Sequence, residues 1–164
     1  MTKATGPLFR VHFRRRREGK TDYQKRLALL KSGKTRLVVR KTNRFLIAQI
    51  VRFDGKGDVV LASANSKALV AMGFAGNANT PSAYLTGMML GKAALEKGVK
   101  DVVLDIGLHA PTHGSVVFAC LKGALDAGLS APHSPDAFPD EERLLGAHVK
   151  KKDAVLAAKQ KILG

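Results

Sequence analysis

The chain has 164 residues, 45% of them hydrophobic and 25% charged, which is the composition of a globular protein long enough to bury a core. We expect no membrane span, secretory signal or lipid anchor, because no apolar run, h-region or terminal lipidation motif of the required kind is present. The abnormal value is the net charge of +15.

Most of the excess positive charge lies in the first third of the chain. Residues 1–52 hold 16 Lys and Arg against 2 Asp and Glu, residues 53–145 carry a net −3, and residues 146–164 carry a net +4. Solubility requires only a modest, dispersed charge, and an anionic membrane usually requires an amphipathic helix or a lipid signal beside the basic residues. The placement therefore favours nucleic acid as the partner, rather than a membrane or a small-molecule substrate.

The first predicted element is a basic extended arm over residues 1–20. It has no usable periodicity and contains four consecutive arginines, Arg14 to Arg17, whose like charges repel unless something anionic lies against them. Such a segment cannot bury enough apolar surface to offset its conformational entropy, so we expect it to be largely disordered when free.

Residues 21–135 are predicted to form an α/β RNA-binding domain. It begins with a short basic helix over residues 21–33, in which Thr21 and Gln24 form a capping box and Gly33 supplies the stop. Three segments rich in branched residues follow, and they indicate an antiparallel meander. Their sequences are TRLVVRK, RFLIAQIVRFD and DVVLASAN, and DGKGD (Asp54 to Asp58) makes a turn between the second and the third.

A helix, a strand and a second helix complete this domain. Thr80 is expected to cap the first helix, with Pro81 at its first position, and Gly87 and Gly91 are expected to allow close packing on the sheet. VKDVVLDIG is typical of a buried strand, and the helix after it spans about residues 115–127. This order implies a parallel crossover, so we predict an α/β sandwich whose mixed sheet begins antiparallel and ends parallel.

Residues 136–164 are predicted to form a helical C-terminal extension, as one helix or as two helices broken at Gly146. The first turn is acidic and the far end is basic, which complements the helix dipole.

The residues give little support to an enzyme. His109 and His113 have the spacing of helical metal ligands, but Pro111 interrupts the segment and no suitable third ligand lies nearby. Asp101 and Asp105 share one side of a strand, yet a two-metal nuclease requires more converging carboxylates. Asp105 is instead expected to partner backbone amides or an arginine. We therefore predict no catalytic residue, no metal and no cofactor.

The basic front carries planar groups among its cations, as RNA recognition requires. Phe9, His12, Phe13 and Tyr23 are interleaved with arginines, which favour bidentate phosphate contacts and stacking on bases. At least one of the two phenylalanines is expected to fasten the arm to the domain. Strand alternation leaves a further polar set off the core face: Arg36, Arg40, Arg44, Gln49 and Arg52.

Three segments carry a resemblance to a known family: GPLFRVHFRRRREGKTDYQKRLALLKSGKTRLVVRKTNRFLIAQIV, NTPSAYLTGMMLGKAALEKGVKDVVLDIGLHAPTHGSVVFACLKGALDAGL and PDEERLLGAHV. They closely resemble the universal large-subunit ribosomal protein L-eighteen in its archaeal form, whose eukaryotic counterpart is called L-five. The resemblance extends from about Gly6 to Val149 and leaves the rest of the tail unassigned. It implies an RNase-H-like α/β domain, a cytoplasmic location in the large ribosomal subunit and no catalytic role. It also implies binding to 5S rRNA, attachment of that RNA to 23S rRNA in the central protuberance, and contacts with neighbouring ribosomal proteins.

The resemblance also assigns RNA-binding roles by position. The arginine run and the first helix match the basic arm and first helix of the family, and Gly107 to Gly114 matches a loop near RNA. The residues that match its RNA-facing sheet edge are Arg36, Arg40, Lys41, Asn43 and Arg44. The full predicted RNA-binding set is Arg10, His12, Phe13, Arg14, Arg15, Arg16, Arg17, Lys20, Tyr23, Lys25, Arg26, Arg36, Arg40, Lys41, Asn43, Arg44, Gln49, His109 and His113.

Two rival hypotheses are open at this point. An RNase-H-like nuclease would show magnesium-dependent cleavage that Asp105→Asn abolishes. A free-standing adaptor for assorted RNAs would bind any folded RNA of equal length with similar affinity.

Overall fold

The computed structural model describes residues 6–163, which form a mixed four-stranded sheet, helices packed on it and a helical C-terminal extension. The helices are α1 (Arg14–Arg17), α2 (Tyr23–Lys31), α3 (Thr80–Glu96), α4 (Val116–Asp126), α5 (Glu141–Leu144) and α6 (Lys152–Leu163). The strands are β1 (Thr35–Lys41), β2 (Leu46–Asp54), β3 (Gly57–Asn65) and β4 (Val102–Asp105), and short 3-10 helices span Ser66–Met72, Pro135–Ala137 and Ala147–Val149. None of the helices in the described part of the chain is both long and apolar enough to cross a membrane.

The sheet has the strand order β3-β2-β1-β4. Strand β2 pairs antiparallel with both β1 and β3, whereas β4 runs parallel to β1. The predicted α/β fold, with a meander followed by a parallel strand, is therefore confirmed. Strand β1 has the predicted bounds, and β2 begins two residues later than predicted because the Thr42 hydroxyl and the Phe45 backbone bond to each other across a tight turn.

One face of the sheet forms the hydrophobic core with α3 and α4. Leu37 and Val39 of β1 and Ala48 and Ile50 of β2 are fully buried in this core. Because the side chains of a strand alternate between faces, residues such as Arg36 lie on the opposite face, next to α2. The two faces of the sheet thus have different chemistry: one is apolar, and the other carries charged residues among apolar ones.

Helices α3 and α4 approach each other through glycines. A Cβ atom on Gly87 would meet the carbonyl of Cys120, and one on Gly123 would meet the carbonyl of Tyr84. The prediction that the glycine stripe of α3 packs on the sheet is wrong, because its partner is α4. Cys120 is fully buried in this contact, and burial raises the pKa of its thiol to about 12.

Two helices begin at a cap that is one residue away from the predicted one. Asp22, not Thr21, caps α2 with its carboxylate, and Asn79, not Thr80, caps α3 with its side-chain oxygen. In each of these neighbouring pairs the aspartate or asparagine is a stronger cap than the threonine, and the observed caps follow that ranking.

The C-terminal extension consists of separate helices, which is one of the two predicted alternatives. The chain breaks at Gly146, which has a φ of 73°, and Lys150 also has a positive φ. Helix α6 then buries Val155, Ala158 and Ile162 in the core next to α3. Gly164, the last residue of the predicted extension, lies outside the described residues.

A buried polar contact joins this extension to the core helices. The Tyr84 hydroxyl of α3 donates to the Asp126 carboxylate of α4 at 2.8 Å and accepts from the Lys159 amine of α6 at 3.2 Å. Burial, followed by the hydrogen bond to Asp126, raises the pKa of Tyr84 above its ordinary value. The tyrosine therefore stays protonated and able to donate.

Candidate nucleic-acid interface

The basic arm lies on the surface, and every described residue of it, from residue 6 to residue 20, is exposed. The prediction of an extended arm needs correction at Arg14–Arg17, which form the single helical turn α1. The centroids of the Phe13 ring and of the Tyr23 ring in α2 lie 5.1 Å apart, so one phenylalanine does contact the domain as expected. Residues 1–5 of the predicted arm lie outside the described residues.

The arm carries more positive charge than its own carboxylate neutralises. Glu18 pairs with Arg14 at 3.7 Å and with Lys20 at 2.9 Å. Arg16 and Arg17 have no carboxylate partner within residues 6–163. These guanidinium groups are therefore available to an anion from outside the chain.

Beside the arm, a cleft of about 390 Å³ lies between α2 and the segment that follows β4. Five cations and two carboxylates line it, which leaves an excess of three positive charges. The apolar part of the lining comes from both sides, with Leu29 on α2 and Leu104 and Ile106 at the end of β4. The five cations are Arg15, Lys20, Lys25, Arg26 and Arg40.

A chain of five charged residues with alternating sign connects the two walls of this cleft. In its middle, the Arg36 guanidinium donates to Asp58 at 2.6 Å and to Asp105 at 3.0 Å. The second oxygen of Asp58 accepts from Arg26 of α2 at 2.9 Å, and the second oxygen of Asp105 accepts from Arg40 at 2.9 Å. Because Arg36 and Asp105 are only 2% and 6% exposed, water screens their interaction weakly.

Arg40 is one exposed end of this charge chain, and backbone groups fix its direction. Its guanidinium also donates to the carbonyls of Val39 at 2.9 Å and of Asp105 at 2.7 Å. It lies against Gly107, where a Cβ atom would come within 2.9 Å of the guanidinium carbon and where φ is 63°. Only glycine meets both requirements at that position.

The Asp58 carboxylate is held in its ionised form. Burial acts to raise its pKa, but the hydrogen bonds and positive charges of Arg36 and Arg26 outweigh burial and hold the pKa below the ordinary value of 3.8. At neutral pH the carboxylate is therefore charged and accepts from both arginines.

The expectation that Arg36 contacts RNA needs correction. Its position off the apolar core face is as predicted, but two carboxylates occupy its guanidinium and leave it 2% exposed. A phosphate has no access to a side chain buried in this way. Its Nε atom is buried without a hydrogen-bond partner within residues 6–163.

The other residues predicted at the RNA-facing sheet edge lie at the end of strands β1 and β2. They are not on a lateral edge, because β3 and β4 form the lateral edges of the sheet. Lys41, Asn43 and Arg44 are exposed in or beside the turn between these strands. Gln49, which was predicted to bind RNA but not as part of that edge, is half-buried within β2. The turn therefore presents its cations to solvent, whereas Gln49 is only partly accessible.

The two histidines of the loop after β4 do not converge on a common point. His109 is half-buried and accepts from the Lys41 amide through Nε2 at 3.4 Å, while His113 is exposed and its Nδ1 lies 2.8 Å from the Asp136 carbonyl. No cluster of three metal-ligating side chains occurs in the described part of the chain. Two arginines occupy Asp105, the carboxylate on which the nuclease hypothesis depends.

Comparison with known proteins decides the family. The family model described as "Ribosomal large subunit proteins 60S L5, and 50S L18" matches residues 8–102 and 96–134, which is more than half of the chain. The Large ribosomal subunit protein uL18 of Methanococcus maripaludis is 56% identical over 96% of this chain and 85% of its own length. The chain belongs to this family of large-subunit ribosomal proteins.

Membership of the family settles two predictions made from the sequence. The family consists of structural proteins of the ribosome and not of enzymes, so the nuclease hypothesis is rejected. It also places the chain in the large ribosomal subunit, in the cytoplasm. The match to the archaeal relative reaches into the C-terminal extension, whereas the family model ends at residue 134.

Sequence reasoning recognised one of the two carboxylates of the charge chain. Asp105 was expected to partner backbone amides or an arginine, and it accepts from the Gly107 amide and from two arginines. Asp58 was assigned only to a turn. Its role depends on the pairing of β2 with β3, including a bulge between Ile50 and Val51, and no local pattern encodes that register.

Proposed function

We propose that this chain binds 5S rRNA and helps to attach it to 23S rRNA in the central protuberance of the large subunit. The observation that carries the proposal is the continuous basic surface of the arm and the cleft, on which exposed cations outnumber carboxylates. For a structural protein of the ribosome, the anionic partner of such a surface is ribosomal RNA. Neighbouring large-subunit proteins are the further partners.

In this proposal the chain has three parts: residues 1–20 are the arm, residues 21–135 the RNA-binding domain and residues 136–164 the extension. The exposed members of the predicted set contact phosphates, and release of counterions drives the affinity. The rings of Phe13 and Tyr23 offer planar faces to unstacked bases. Assignment of the domain to the RNase-H-like class belongs to the same proposal, with the meander and parallel strand as its support.

The decisive experiment is a salt titration of binding to 5S rRNA and to an unrelated folded RNA of equal length. With six to ten phosphates engaged, affinity for 5S rRNA should fall by about three to five decades between ~50 and ~200 mM salt, if the slope of duplex DNA applies. Replacing Arg14 to Arg17 with alanine should flatten this dependence, because four phosphate contacts are removed.

Two outcomes would overturn the proposal in different ways. Equal affinity for both RNAs would favour the adaptor hypothesis over a dedicated 5S rRNA protein. An unchanged salt slope in the alanine variant would show that the arm is not the electrostatic contact.

A further inference from the structure

Two carboxylates beside the basic cleft, Asp58 partly exposed and Asp105 buried, have the same arrangement of partners. Asp58 and Asp105 each give one oxygen to the buried Arg36 and the other to an arginine on a wall of the cleft. Arg26 on the α2 wall and Arg40 on the opposite wall are thereby joined to a single buried centre. Each of these two arginines is partly exposed, with 37% and 42% of its side chain accessible.

We infer that Asp58 and Asp105 are positioning residues for RNA binding. Each carboxylate fixes the side chain of one cleft arginine, so that its remaining N–H groups face the RNA before the RNA arrives. This inference rests on the proposed function, since it names what orients two of the contacts in it. In that case these two acidic residues would increase the affinity of a basic surface for a polyanion.

The inference makes a prediction opposite in sign to that of simple charge attraction. Ordering one flexible side chain on binding lowers affinity by about three- to tenfold, and a side chain ordered in advance avoids most of that loss. Removing one negative charge about 10 Å from a phosphate should raise affinity by only about twofold, given the screening of water. Loss of the carboxylate should therefore weaken RNA binding overall.

The test compares two acidic residues of the same hairpin. Asp58→Asn removes a carboxylate with two arginine partners, whereas Asp54→Asn removes one whose only side-chain hydrogen bond within residues 6–163 is to the amide of Gly55. With 5S rRNA as the probe, Asp58→Asn should lower affinity by about threefold or more, and Asp54→Asn should raise it by up to about twofold. Asp58→Glu keeps the charge and should restore most of the affinity. A rise in affinity for Asp58→Asn equal to that of Asp54→Asn would overturn the inference.

A double-mutant cycle separates positioning from general structural damage. If Asp58 acts through Arg26, then Asp58→Asn should cost no further affinity in an Arg26→Gln background. An undiminished loss in that background would mean that the carboxylate supports the fold in general, which contradicts a positioning role. All affinities are compared well below the melting midpoint of each variant.

A measurement on the unaltered full-length chain covers the case in which Asp58→Asn does not fold. Nitrogen-15 relaxation of the arginine Nε–H groups in the free protein should show Arg26 and Arg40 ordered and Arg16 and Arg17 mobile. Equal mobility of the two groups would overturn the inference. Failure of the proposed function would appear separately, as unaltered protein that binds 5S rRNA no better than an unrelated RNA.

Discussion

Two groups of arginines that look alike in the sequence differ in the folded chain. The arginines of α1 are exposed, and Arg16 and Arg17 have no carboxylate partner within residues 6–163. Arg36 is buried, Arg26 and Arg40 are partly buried, and these three share two carboxylates. Net charge counts both groups equally, but only the first can exchange its counterions freely for phosphates. We therefore propose that the first group supplies binding and that the second supplies stability and direction.

The largest effect should come from Arg36→Met, because a buried arginine of the second group contributes far more to the free energy of unfolding than an exposed arginine of the first. Removing the centre of a buried ion network leaves Asp58 and Asp105 undersatisfied, so the free energy of unfolding should fall by about 3–5 kcal/mol. The matched Arg16→Met should change it by no more than about 0.5 kcal/mol, because that side chain is exposed. Urea denaturation measures both, and equal losses would contradict the comparison.

The second effect concerns RNA binding and tests the location of the charge rather than its amount. Replacing Arg15, Arg16 and Arg17 with alanine should shrink the fall in 5S rRNA affinity between ~50 and ~200 mM salt by about one and a half decades. The control variant replaces Lys150, Lys151 and Lys152 with alanine, which removes the same amount of charge from near the other end of the chain. If both variants lose the same slope, net charge and not the arm determines the affinity.

A smaller effect should follow from Arg40→Lys, which keeps the charge but loses the planar fork. The Arg40 guanidinium bonds to the Asp105 carboxylate and to two carbonyls at once, and an ammonium group cannot reproduce that geometry. We expect the free energy of unfolding to fall by about 1 kcal/mol. Arg44→Lys, in the exposed turn, is the control and should be nearly neutral; a comparable loss there would show that the fork of Arg40 is unimportant.

The smallest effect should appear in acid and concerns Asp58. Its pKa is lower in the folded chain than in the unfolded one, so its contribution to stability is present above the unfolded pKa and is lost as pH falls through the folded pKa. The difference in unfolding free energy between the unaltered chain and Asp58→Asn should therefore be constant near neutral pH and narrow below about pH 4. Urea denaturation at a series of pH values measures this difference. A difference that stays constant as the pH falls into the acid range would show that the pKa of Asp58 is not lowered by folding.

The sequence predicts the elements of this fold well because their signals are local. The bounds of β1 follow from a short run of branched residues, and Gly146 is the residue at which one of the two predicted alternatives breaks the C-terminal extension. The caps were misplaced by one residue where Thr21 stands beside Asp22 and Asn79 beside Thr80, since both members of each pair are good caps.

The site is less predictable, because its geometry depends on contacts between distant parts of the chain. Alternation correctly takes Arg36 off the apolar face, but its burial depends on Asp105, which is 69 positions away along the chain. The sheet is the predicted partner of Gly87, but the actual partner is α4. A small residue indicates that another backbone comes close and does not identify which one. Exposed cations such as Arg44 and Arg52 need no such partner, and their exposure agrees with the predicted alternation.

The reciprocal glycine contact between α3 and α4 has a mechanical consequence. Gly87 and Gly123 each lie over a backbone carbonyl of the other helix, so sliding one helix along the other would drive a side chain into the main chain. We therefore expect the helical layer under the apolar face to resist sliding. On that basis, adjustment of the chain to the contour of an RNA should come from α2 and the arm, on the other side of the sheet.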